Sequence, residues 1–217
     1  MTKLLNKEFR LACSPLSWIF LVAVGMTLLP GYPILMGAFF VCFGVFHSFQ
    51  NAREANDVLY TVLLPVRKRD FVRAKFAFTC CIQLIGFALM AALTALRMTV
   101  LSDGKAYLSN ALMNATPLFL AFALLVFTAF NVFFLGGFFR TAYKLGMPFL
   151  AFGIATLLLI IVGEALHFIP GLEFFNAPAG ERLGLQLALL GIAAAIYALG
   201  TFASCRACMA KFEKIDL

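Results

Sequence analysis

The sequence predicts an all-α integral membrane protein with six transmembrane helices and both termini in the cytoplasm. Three observations carry this. The 217 residues are 63% hydrophobic and 12% charged, about half the charge of a soluble domain, so no water-facing surface can be built from them. Several apolar runs approach the roughly 20 residues a helix needs to cross a bilayer. With the N-terminus placed inside, all of the 17 Lys and Arg residues except Arg97, Lys105 and Arg182 fall on the inner side, the bias of cytoplasmic loops. The net charge of +7 is therefore a topology signal. No basic patch with interleaved exposed aromatics accompanies it, so no nucleic-acid partner is expected.

Taken in order, "MTKLLNKEFR" reads as an amphipathic interfacial helix ahead of an uncleaved first span. The segment lacks a small-x-small cleavage site and carries Glu8 among its basic residues. Span 1 runs over about Pro15–Leu29, with Ser14 as N-cap and Pro15 in the first turn. "PGYP", Pro30–Pro33, reverses the chain into span 2, about Ile34–Gln50. Residues 51–72 form a charged loop. Span 3 then covers about Arg73–Leu96, span 4 Pro117–Phe138, span 5 Met147–His167 and span 6 Leu183–Ser204. Spans 1 and 2 are short, nearer about 25 Å than 30 Å at 1.5 Å per residue. No internal repeat or linker is visible, so residues 1–217 read as one transmembrane domain.

The densest charge lies in "EANDVLYTVLLPVRKRDFVRAKF", Glu54–Phe76. Ala55, Val58, Leu59, Val62 and Leu63 recur at the spacing of one helix face. Glu54, Asn56, Asp57, Tyr60 and Thr61 fall elsewhere on the wheel. A short helix lying along the membrane surface with its polar face toward the cytoplasm is expected, ended by Pro65. Arg67, Lys68 and Arg69 then meet anionic head groups, and Asp70 complements the start of span 3. Two readings stand side by side. The loop either fixes topology and nothing more, or it also docks a cytoplasmic partner.

The pattern N-D-x-L-Y-x-x-L-L-P-V-R-K-x-D-x-V-x-A-K, Asn56 to Lys75, resembles the loop between spans 2 and 3 of type-2 ABC transporter permeases. It is most similar to small six-span bacterial members such as the membrane subunits of the phenol-soluble modulin exporter. The resemblance implies that Glu54–Leu64 is a coupling helix contacting an ATPase. Glu54, Asn56, Asp57, Tyr60, Leu64, Pro65, Arg67, Arg69 and Asp70 become the expected coupling residues. It further implies a permease subunit of an ABC exporter in a bacterial cytoplasmic membrane, paired with a second copy or a related permease. Two ATPase subunits would bind ATP and magnesium, and the cargo would be hydrophobic or amphipathic, such as a peptide toxin or antimicrobial. No cofactor, metal or catalytic residue is expected in this chain. A phosphate-binding G-x-x-x-x-G-K-[ST] is absent: the only Gly-Lys pair, Gly104-Lys105, has Thr99 where the first glycine should stand.

Other polar residues in the spans bear on alternatives. Glu164 and His167 share a face of span 5. They read either as a metal or catalytic pair of an intramembrane enzyme, or as a polar rim of the translocation path. A metal site would need further ligands, and the other histidine, His47, lies at the opposite membrane depth. Cys205 and Cys208 form a C-x-x-C, two ligands short of a zinc site. Gln83 and Asn131 read as interhelical hydrogen-bonding residues. Phe39, Phe43 and Phe46 align on one face of span 2, and the resemblance places spans 2 and 5 along the central path. A secondary transporter or a membrane scaffold are the remaining alternatives.

Overall fold

The computed structural model describes residues 2–63, 65–102, 104–108, 110–141, 144–176 and 182–214. Among these the chain is helical, with no strand. Eight helices organise it: α1 (Thr2–Ala12), α2 (Pro15–Leu28), α3 (Met36–Glu54), α4 (Asp57–Leu63), α5 (Lys68–Thr99), α6 (Pro117–Arg140), α7 (Gly146–Phe168) and α8 (Leu183–Phe212). Of these, α5, α6, α7 and α8 are long and apolar enough to cross a membrane, and α1 with α2 qualifies only as a pair bent by 90°. Against the expected six spans, the described residues hold four such helices, or five with the bent pair. α3 falls short because its last turns carry His47, Gln50, Asn51, Arg53 and Glu54.

The helix ends follow local chemistry. Ser14 caps α2 by accepting from the Leu16 N–H, with Pro15 at the first position. From Phe20 to Leu28 the helix tightens to 3-10 geometry, whose rise of about 2.0 Å per residue stretches this short element to about 25 Å. Gly31 takes the left-handed φ of 73° in the following reversal, which glycine adopts without a steric penalty. The charged ends of the long helices extend past their apolar runs. α5 starts at Lys68 rather than Arg73, and α8 reaches Phe212 rather than Ser204. Once nucleated, a helix continues as long as each added residue closes a hydrogen bond.

α6 is the hub. In its most apolar window 78% of residues are buried, against 17% for α7 and 11% for α8. Phe119, Phe127, Phe130, Phe134, Phe138 and Phe139 on α6 fill the core and meet Phe49, Phe71, Phe152 and Phe212 from four other helices. Offset and edge-to-face ring pairs at these separations add to plain burial. The outer faces of α7 and α8 expose Ile154, Leu157, Leu158 and Ile161, and Ile192, Ile196, Leu199 and Phe202. Water would not tolerate such a surface; lipid solvates it.

Backbone irregularity in α6 is answered by side chains. The turn Phe130–Leu135 opens to π geometry, which frees carbonyls from the helical ladder. Ser204 Oγ donates to the Asn131 carbonyl at 2.8 Å, and Cys208 Sγ lies 3.9 Å from the Leu135 carbonyl. Gln83 on α5 and Asn131 exchange two amide hydrogen bonds, 3.0 and 3.1 Å. Tyr197 Oη donates to Gln83, and Asn131 donates to Thr201 Oγ1. The expected pairing of Gln83 with Asn131 across helices is observed, extended to α8.

Gly44 sets the distance between α2 and α3. A Cβ there would stand 3.0 Å from Ser17 Cα and 3.2 Å from the Leu16 carbonyl oxygen. This approach lets Ser17 Oγ donate to the Gly44 carbonyl at 2.7 Å, with Ser48 Oγ 2.8 Å away. Replacing Gly44 by Val should part the two helices and cost about 1–3 kcal/mol. Thermal unfolding of purified protein in detergent is expected to fall by several degrees. Gly153→Ala, where no atom lies within 4 Å, should leave the transition unchanged.

Candidate functional site

At one end of the bundle, α1, α4 and α5 converge on four charged side chains. Lys7 and Glu8 are neighbours on α1. Asp57 stands in the first turn of α4, where the helix N-terminus favours a carboxylate. Lys75 projects from the third turn of α5. Lys7 Nζ lies 2.5 Å from Asp57 Oδ1 and 3.5 Å from Glu8 Oε1, while Lys75 Nζ lies 2.5 Å from Glu8 Oε2 and 3.1 Å from Asp57 Oδ2. Glu8 is fully buried and Lys75 is 2% exposed. Two ammoniums against two carboxylates make the cluster neutral, which is what allows it to leave water. The rings of Phe49 and Phe71 lie 5.4 and 5.6 Å from the Lys75 ammonium and add cation–π attraction.

Thr61, one turn after Asp57, completes the seam. Its hydroxyl accepts from Lys7 Nζ at 2.7 Å and donates to the Asp57 carbonyl at 2.6 Å. Burial pushes the Asp57 carboxyl up, but the Lys75 and Lys7 ammoniums outweigh it and hold it below the usual carboxylate range. A carboxylate with a lowered pKa stabilises the fold above its ordinary value, and that stabilisation is lost as pH falls through the lowered one. Asp57 therefore keeps its charge, and its pairing with both lysines, at neutral pH.

Two of the polar residues of α4 therefore point inward. Asp57 and Thr61 face the bundle, whereas Leu63, from the apolar stripe, is 77% exposed, and Ala55 is also exposed. The side chains of Val58, Leu59 and Val62, and Leu64 as a whole, lie outside the described residues. The physical reason is the pair of cations, Lys75 buried and Lys7 half-buried: a polar face meets them better than an apolar one. Tyr60, 66% exposed, shares the outer surface with Leu63.

The other expected coupling residues scatter around this seam. Glu54 ends α3, exposed, beside a cavity of about 490 Å³ that Phe46, Gln50, Arg53 and Leu145 also line. Asn56 takes a left-handed φ of 50°, which asparagine tolerates better than most residues. Its carbonyl accepts from the Tyr60 N–H at 3.1 Å, starting α4. Pro65 and Arg67 are exposed. Arg69 leaves the loop to pair with Glu213 at the end of α8, and Asp70 lies 3.6 Å from Arg73 in the first turn of α5. Lys7, Glu8, Thr61 and Lys75 were not among the expected site residues. The available signal was isolation: Glu8 is the one carboxylate before the first apolar run, and Lys75 sits inside the start of another.

Above this end, Phe39, Phe43 and Phe46 form a half-buried strip on α3, as the sequence spacing predicts. They meet α7 rather than standing free. Phe39 packs on Phe152 at 5.7 Å, Phe43 on Phe149 at 5.7 Å and Phe46 on Phe149 at 4.1 Å between ring centroids. The strip leads down to the cavity beside Glu54.

Glu164 and His167 lie at the opposite end, holding backbone. Glu164 Oε2 accepts from the Met113 N–H at 2.7 Å, and His167 Nε2 lies 3.1 Å from the Ala111 carbonyl oxygen. The same segment is fixed by Asn114 and Asn176, which share two hydrogen bonds, and by Arg97, buried, which donates to Asn114 Oδ1 at 2.7 Å and to the Thr27 carbonyl at 2.8 Å. Among the described residues, no three His, Cys, Asp or Glu side chains stand together as metal ligands.

The chain matches the family described as ABC-2 family transporter protein over residues 3–208. No curated protein and no solved structure matches it. The match spans nearly the whole chain, including the N-terminal helix, the α4 loop and the apolar helices. With several membrane-crossing helices, the protein is multi-pass, and it belongs to the ABC-2 transporter family as a membrane component of an ABC transporter.

Proposed function

We propose that this chain is the permease subunit of an ATP-driven exporter. A separate cytoplasmic ATPase, which holds the ATP and magnesium, grips α4, and the force passes through the charged cluster into the membrane helices. The observation that carries this reading is the double attachment of Asp57, to Lys7 on α1 and to Lys75 on α5. A seven-residue helix is too short to be stable by itself. Pinned at both sides, it moves only with α1 and α5. Its exposed Tyr60 and Leu63, with Glu54 at the end of α3, are left for a partner, and a large exposed apolar side chain beside a charge suits a docking contact.

In this reading the chain crosses the bilayer six times, α2 and α3 included, with both termini and α4 in the cytoplasm. Two permeases, identical or related, face each other over two ATPases. A hydrophobic or amphipathic cargo, of which a peptide toxin or antimicrobial is one example, follows the phenylalanine strip on α3 and α7 in a bacterial cytoplasmic membrane. Closing of the ATPases switches the helices between two packed arrangements, the two-state element that coupling requires.

Docking and transmission should separate by mutation. Co-purification with the ATPase and the ATP turnover of the complex are the measurements. Tyr60→Ala combined with Leu63→Ser should lower ATPase capture about tenfold or more while leaving the thermal transition of the permease alone unchanged. Capture that survives these changes together with Glu54→Lys would refute docking through α4.

Lys75→Met removes the partner of a fully buried carboxylate and should destabilise the permease by about 3–5 kcal/mol. Adding Glu8→Gln should restore a large part of the loss. Simple additivity of the two effects in a double-mutant cycle would show that the cluster does not act as a unit.

A further inference from the structure

Where the first turns of α5 meet the last turns of α8, a cavity of about 400 Å³ opens between Arg69, Arg73 and Arg206, and Phe202, Met209 and Ala210 form its other wall. Two carboxylates attend the arginines. Glu213 accepts from Arg69 at 2.6 Å, and Asp70 lies 3.6 Å from Arg73. Three guanidiniums against two carboxylates leave the cavity net positive. Arg206, exposed on α8, is paired with no carboxylate among the described residues. The apolar wall is equally specific. Phe202 is 64% exposed, and Leu199, one turn nearer the centre of α8, is 69% exposed. That helix has the least buried face of the bundle, so this wall borders lipid.

A small soluble anion would use the guanidiniums and leave the wall uncovered. A hydrocarbon chain alone would leave the guanidiniums unanswered. The ligand that satisfies both carries a phosphate anion at one end and an acyl chain at the other. We propose that this cavity is a binding site for an anionic membrane phospholipid, with its phosphate between Arg73 and Arg206 and its chain along Phe202 and Leu199. Arginine suits the role because its planar fork pairs with phosphate oxygens in two places at once. Occupancy braces α5 against α8 at the end of the bundle where Lys75 anchors α4.

The test uses the full chain purified in a neutral detergent, with thermal unfolding and native mass spectrometry as readouts. Phosphatidylglycerol should raise the transition temperature and remain bound in the mass spectrum, and phosphatidylcholine should do neither. Arg206→Gln, at an exposed position, should weaken phosphatidylglycerol binding about tenfold, the effect of losing one hydrogen bond to a charged group, and Arg73→Gln with Arg206→Gln should abolish the shift. Lys3→Gln, which removes one exposed charge at the opposite terminus of the chain, should not change it. The proposal is overturned if phosphatidylcholine stabilises equally, if Arg206→Gln leaves binding intact, or if Lys3→Gln weakens it as much. An equal shift with millimolar inorganic phosphate would assign the cavity to a free anion and overturn the lipid as its occupant.

Discussion

Two lysines and two carboxylates, of which Lys75 and Glu8 are fully buried, tie α1, α4 and α5 together at one end of the bundle. Removing each ion from water costs several kcal/mol, and only close opposite charges offset it. Lys7, Glu8, Asp57 and Lys75 meet that condition at 2.5–3.5 Å, and the loss of any one leaves an unbalanced charge beside Glu8 and Lys75, which are buried from water. The consequence reaches beyond the four residues. α1 lies at 90° to α2 and α4 is seven residues long. α1 packs Phe9 against Phe78 and buries Ala12, and the charges tie both helices to α5. The cluster converts two loosely determined surface elements into extensions of α5.

The same constraint, that polar groups in an apolar medium must answer one another, organises the rest of the bundle. At mid-depth it appears as the exchange of amide hydrogen bonds between Gln83 and Asn131, extended by Tyr197 and Thr201. At the far end it appears as Arg97, whose guanidinium is shared between the Thr27 carbonyl and Asn114 and lies 4.4 Å from the Tyr107 ring. Glu164 and His167 belong to that far layer as holders of the 111–113 backbone. The three polar layers sit at three depths of the bundle. Between them the packing is almost wholly phenylalanine and aliphatic.

Much of this was legible along the chain, and the rest failed for identifiable reasons. The runs that became α5, α6, α7 and α8 stand out because each is long enough to satisfy its own backbone in lipid. α2 and α3 stand out less, one because it is short and tightened, the other because polar residues fill its last turns. The helix at Asp57–Leu63 was visible from its apolar period, but its orientation was not. A stripe of apolar residues and a stripe of polar ones occupy opposite faces, and periodicity cannot say which faces inward. That choice is made by Lys7, 54 positions from Thr61, and by Lys75 on the next helix. Glu8 was visible only as an oddity in a basic segment. Pairing over such separations leaves no local trace in one sequence.

The existence of the buried cluster itself argues about purpose. Well-packed apolar residues in place of a buried ion pair are often as stable or more so. Stability alone therefore does not account for two cations and two anions at the junction of α1, α4 and α5. What charge supplies and apolar contact does not is a fixed register. Greasy surfaces slide past one another at small cost, whereas displacing Asp57 by a few ångströms from Lys75 would expose a bare charge to a medium that cannot solvate it. A joint of that kind is stiff for small displacements and switches all at once for large ones. The proposed transmission of a push from α4 into the membrane helices, without yielding along the way, needs that mechanical property.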